Sequence, residues 1–74
     1  MDIRIINKNY EIINVNNLSI MTMDKWLVGM NDRMETIKIE EYENKEKAKD
    51  RLIALGAAIE DAYGRNVKNL LIRT

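Results

Sequence analysis

The stretch from Met34 to Gly64, METIKIEEYENKEKAKDRLIALGAAIEDAYG, decides the fold. It reads as a strand that runs directly into an amphipathic helix. Ile37 and Ile39 alternate with Thr36 and Lys38, the period of a half-buried strand over Met34 to Ile39. Asn44 then suits a helix N-cap, because its side-chain oxygen can accept from a free amide of the first turn. Ala48, Leu52, Leu55, Ile59 and Ala62 follow at spacings of four and three, one apolar stripe with Tyr63 at its edge. Glu46, Lys49, Asp50, Glu60 and Asp61 fall largely on the other side. Gly64 stands where a left-handed residue would end the helix. The spacing therefore predicts a helix over 45–63.

Upstream, short β-rich runs alternate with turn residues. Ile3-Arg4-Ile5, Tyr10 to Val15, Leu18 to Met23 and Trp26 to Met30 are the runs. Asn7-Lys8-Asn9, Asn16-Asn17, Asp24-Lys25 and Asn31-Asp32-Arg33 are the turns. This rhythm predicts an antiparallel meander. Ile5-Ile6, Ile12-Ile13 and Trp26-Leu27-Val28 put apolar residues on both faces, although one helix covers only one face of a sheet. Beyond Gly64, Leu70-Leu71-Ile72 should form an extra strand or dock on a neighbour. The expected fold is α+β: a small antiparallel β-meander of four to five strands packed against one long C-terminal helix, with an apolar C-terminal tail, in a single domain over 1–74.

Composition narrows the function. A chain of 74 residues buries a small core, and small domains add disulfides, metals or partner subunits to stabilise it. Cysteine and histidine are both absent, which removes thiolate sites, the commonest metal ligand and the commonest general base. Self-association is the remaining device, so a homo-oligomer, a dimer first, is expected. The 12 basic and 12 acidic side chains balance, which disfavours nonspecific nucleic-acid binding. Residues 1–43 carry a net −3 and residues 44–74 a net +3. The basic run Lys45, Lys47, Lys49 and Arg51 scatters around a helix axis with Glu46 and Asp50 between, so it forms no stripe for nucleic acid. Met1-Asp2-Ile3-Arg4 opens no secretory signal, and no run approaches a membrane span. A cytoplasmic location is expected.

Catalysis finds no support. Ser19 lies in a strand run without a nucleophile-elbow context, and Glu60 and Asp61, as helix neighbours, point apart. Gly29, Gly56 and Gly64 are isolated, so no phosphate loop exists. No enzyme activity and no cofactor are expected. Three features could instead mark an interface. Met21, Met23, Met30 and Met34 surround Trp26; methionine adapts to partners, and tryptophan is favoured at binding hot spots. Ile53 and Ala57, with Gly56, form a seam on the charged side of the helix. Leu70 and Leu71 belong to the apolar tail.

The pattern Thr36-Ile37-x-Ile39-x-x-Tyr42-x-Asn44-x-Glu46-x-Ala48-x-x-x-Leu52 resembles one found in short, largely uncharacterised phage- and prophage-type proteins of Gram-positive bacteria. In those, a meander ends in a Gly-Glu-Tyr strand end, a Thr or Ser cap and a Glu-Arg-Ala helix start. Here Glu40 stands for the Gly, Asn44 for the cap and Lys47 for the Arg. The resemblance covers about half the chain. It implies the architecture and a mobile-element origin, with no catalytic residue to carry over, and places the protein in the host cytoplasm if phage-encoded. The expected function is a small protein-interaction module that binds and inhibits or modulates a host protein, of the anti-defence type. The alternative is an oligomeric nucleotide-binding or sponge protein, with Arg4, Arg33, Lys45 and Arg65 as ligand-binding candidates.

Overall fold

The structure, a computed structural model, describes all residues from Met1 to Thr74. The elements run β1 (Asp2–Ile6), β2 (Ile12–Asn14), β3 (Ser19–Met23), β4 (Trp26–Met30), β5 (Thr36–Glu41), α1 (Lys45–Gly64) and β6 (Asn69–Arg73). The α+β class stands as expected. The strands form two sheets of three, ordered β2-β1-β6 and β3-β4-β5. All neighbours are antiparallel except β1 and β6, which pair in parallel with Ile3 opposite Leu70 and Ile5 opposite Ile72. The apolar tail is therefore a strand. Its partner is the first strand of the chain, so the local meander accounts for only part of the sheet pairing.

The two sheets and the helix share one core. Ile3 and Ile5 come from the first sheet, Leu27 and Ile39 from the second, Leu55 from the helix and Val15 from the link between sheets. Ile5 and Leu27 are fully enclosed; burying a side chain of this size stabilises by about 2 kcal/mol. Along α1, Ala48, Leu55 and Ala62 are buried and Leu52 and Ile59 are half-buried, the stripe read from spacing. The helix lies mainly on β3 and β4. Asn44 Oδ1 accepts from Lys47 N–H at 2.9 Å, which is the expected N-cap. The C-terminus differs from expectation. Gly64 is still helical, and the left-handed residue is Asn66, at φ 56°. Asparagine tolerates that conformation through its short polar side chain. Tyr63 is 60% exposed rather than packed at the stripe's edge.

Two hairpins share one turn chemistry. In Asn7-Lys8-Asn9-Tyr10-Glu11, Asn7 Oδ1 accepts from Asn9 N–H and Glu11 N–H, and its amide donates to Glu11 Oε1. Asn31-Asp32-Arg33-Met34-Glu35 repeats these bonds with Asn31, Arg33 and Glu35. Each asparagine thus replaces main-chain partners that a short loop lacks. Both loops leave a large residue left-handed at the fourth position, Tyr10 at φ 62° and Met34 at φ 64°.

The β4–β5 ladder slips once. Leu27 faces Glu40 and Val28 faces Lys38, which leaves Ile39 as an extra residue on β5. Such a bulge turns consecutive side chains toward one side. Ile39 and Glu40 are accordingly both buried, and strict alternation breaks there.

Candidate functional site

The helix covers one face of the β3-β4-β5 sheet, and the opposite face gathers the methionines. Ile20 opposite Gly29 and Thr22 opposite Leu27 belong to the covered face. Leu18 packs closely over Gly29 there: a Cβ on the glycine would meet Leu18 Cδ1 at 2.7 Å, so the leucine end would have to shift. The open face then carries Ser19 opposite Met30, Met21 opposite Val28 and Met23 opposite Trp26. Lys38 faces Val28 from β5, and its Nζ sits 4.6 Å from the centre of the Trp26 ring. A cation over an indole face is attracted to it by about 0.5–1 kcal/mol at an exposed site. Val28 is 2% exposed yet stands outside the core cluster; Met21, Trp26, Met30 and Lys38 are its neighbours on this face. Trp26, Met21 and Met30 remain half-buried, Met23 is exposed, and Met34 stands 76% exposed on the turn beyond.

A groove of about 480 Å³ adjoins this face. Trp26, Lys38 and Glu41 line one side, Asn7, Lys8, Asn9 and Glu11 the other, with Ile39 and Glu40 between. Two of its buried polar side chains, Asn7 and Glu40, are bonded to neighbouring segments. Asn7, buried, also donates to Ile39 O at 3.0 Å, which ties the first hairpin to β5. Glu40 Oε1 accepts from Lys8 N–H at 2.7 Å and Thr74 Oγ1 at 2.8 Å. Lys8 Nζ lies 4.9 Å from the Tyr42 ring centre. Burial first, then the nearby Glu40 carboxylate, pushes the Tyr42 phenol above its ordinary value, against the pull of Arg51. Sequence spacing placed none of these polar residues in a site. The bulge that turns Glu40 inward leaves no mark in local composition, and the Asn7 contact joins residues far apart in the chain.

The other candidates lie elsewhere. Ile53, 71% exposed, and Ala57 stand on the side of α1 turned from the sheet, so they and Trp26 occupy opposite sides of the molecule. Leu70, half-buried, packs beside Ile3, while Leu71 is 57% exposed on the outer face of β6. Of the four basic candidates, Arg4 lines a depression of about 300 Å³ with Asp2, Ile12, Asn69, Leu70 and Leu71, and is ion-paired to Asp2 at 3.0 Å. Arg33 lies in the turn between β4 and β5. Lys45 is the first residue of a 20-residue helix about 30 Å long and Arg65 the residue just past its end. Arg65 is paired with Asp61 at 2.8 Å. One protomer does not bring these four together. No group of three or more carboxylates is placed to hold a metal, and no helix is long and apolar enough to cross a membrane.

Comparison with protein-family models, with curated proteins and with solved structures finds no match to this chain.

Proposed function

We propose that the protein is a non-catalytic interaction module that binds a target protein through the open face of the β3-β4-β5 sheet and acts by covering a surface of that target. The observation that carries this reading is the cluster of Met21, Met23, Trp26 and Met30 around Val28, on the face the helix leaves uncovered. Apolar sheet faces are normally packed, and an uncovered one is a candidate contact surface. Methionine chains can repack to a partner's contour at little cost, while Trp26, half-buried beneath Lys38, supplies a large flat anchor. The mixed charges of the adjoining groove, Lys8, Lys38, Glu11 and Glu41, would orient the partner. The resemblance to short phage-type proteins supports a host protein as the target.

The test is site-specific photo-crosslinking in cells, with the reactive residue at Met23 or at Ile53. A single adduct from Met23, lost in Trp26→Glu and absent from Ile53, is the expected result. An adduct from Ile53 alone, or one from Met23 that survives Trp26→Glu, would discard this face as the binding surface.

A further inference from the structure

The first sheet ends in β6, whose outer edge has no strand beside it. In its parallel ladder with β1, Lys68 O accepts from Asp2 N–H at 2.8 Å and Thr74 N–H donates to Ile6 O at 3.1 Å. Alternate residues in such a ladder turn their main chain to opposite sides. Lys68, Leu70, Ile72 and Thr74 therefore address β1, and Asn69, Leu71 and Arg73 present N–H and C=O outward. The Arg51 guanidinium, from the helix, donates to Arg73 O on this edge, and a carbonyl oxygen has the capacity to accept a second bond. Asn69 and Leu71 are exposed along this edge.

The strand is palindromic in polarity: Asn69-Leu70-Leu71-Ile72-Arg73 reads polar, three apolar, polar in either direction. We infer that β6 pairs antiparallel with β6 of a second copy, about a twofold axis through Leu71, to make one continuous six-stranded sheet. Leu71 then faces Leu71 of the other copy and exchanges both main-chain bonds with it. The 57% exposed side chain is covered by its own counterpart. On the inner face, half-buried Leu70 meets the second copy's Ile72, which extends the apolar layer of Ile3 and Ile5 across the junction. On the outer face, Asn69 lies between Asp2 and the second copy's Arg73. That guanidinium is two strand spacings from Asp2, about 9–10 Å between Cα atoms, within reach of an extended arginine. The guanidinium thus approaches a carboxylate that already pairs with Arg4 of its own copy, once at each end of the axis. A second copy fits for another reason. Only 12 of 74 residues are buried, and an interface between copies enlarges a core this thin.

The pairing uses the β2-β1-β6 sheet and leaves the Trp26 face open on both copies, so it stands or falls apart from target binding. The experiment is sedimentation velocity of the full chain from low micromolar to near-millimolar concentration. Wild type is expected to pass from monomer to dimer. Leu71→Lys should raise the dissociation constant by at least ~tenfold. A chemically synthesised chain N-methylated at Leu71 keeps the side chain and removes only the outward N–H. It should weaken the dimer likewise, which holds the test even if the lysine variant folds poorly. Trp26→Glu should leave the dimer unchanged. A monomer at every concentration overturns the inference, as does a dimer that survives both Leu71 changes or one that Trp26→Glu dissolves.

Discussion

The two asparagine turns offer a comparison within one molecule. Asn7 and Asn31 make the same three turn bonds, at 2.9–3.0 Å. Asn7 is buried and makes a fourth, to Ile39 O at 3.0 Å, whereas Asn31 makes no such cross-strand bond. Asn31→Ala removes bonds whose partners can turn to water, and should cost about 1 kcal/mol. Asn7→Ala removes the same bonds and strands the Ile39 carbonyl in the core, a further ~1–3 kcal/mol, so about 3 kcal/mol in total. A 74-residue domain has roughly 4–11 kcal/mol to lose. The melting temperature should then fall by about 4–8 °C for Asn31→Ala and roughly three times that for Asn7→Ala. Thermal unfolding followed by far-ultraviolet circular dichroism reads the melting shifts, and urea unfolding reads the free-energy losses, provided the slope with denaturant stays constant. Equal losses in the two variants, or a smaller loss for Asn7→Ala, would refute the claim that the cross-strand bond and burial set the difference.

Two further outcomes follow from particular residues. Met34 is held left-handed at φ 64° and its side chain is 76% exposed, so Met34→Gly should raise stability by about 0.5–1 kcal/mol through relief of backbone strain, read as a higher urea midpoint. A lower midpoint would mean that the methionine packs in the folded state. Tyr42 ionises above 10.0 when folded, chiefly because it is buried. A neutral phenol favoured by folding contributes stability that is complete below the unfolded value and lost as pH rises through the folded one. Unfolding free energy should therefore decline above pH 10 in wild type and decline less in Tyr42→Phe, and the late-ionising component of the tyrosinate absorbance should vanish in that variant. A Tyr42→Phe protein with the same alkaline decline would assign that loss to other groups.

Much of the fold is legible in residues three and four apart. The Ala48 to Ala62 stripe and the Asn44 cap are local, and both appear where spacing puts them. Turn residues mark the hairpins for the same reason. The C-terminus of the helix misled because Gly64 and Asn66 both tolerate left-handed backbone, and the choice between them is made by the docking of Val67, whose N–H donates to Ala62 O. Strand partners are not local at all. Nothing in Ile3-Arg4-Ile5 announces Leu70-Leu71-Ile72 as its neighbour, because parallel pairing leaves no turn between them. The open-face cluster was half legible. Alternation puts Met21 and Met23 on one side, but it takes the register with β4 to bring Trp26 and Met30 to them. Glu40 reads as a surface residue in an alternating strand, and only the extra residue at Ile39 turns it inward.

The parallel pairing of β1 with β6 also dictates an order of events during synthesis. The first strand leaves the ribosome long before its partner, with the whole helix made between them. Until β6 emerges, β1 has only the three residues of β2 on one flank, and Ile3 and Ile5 lack part of their cover. Closing so long a loop is slow compared with forming the hairpins. The β3-β4-β5 sheet and the helix can assemble while the chain waits. In crowded translation, a β6 from a neighbouring nascent chain could fill the gap first, giving an exchanged pair with the same contacts as the monomer.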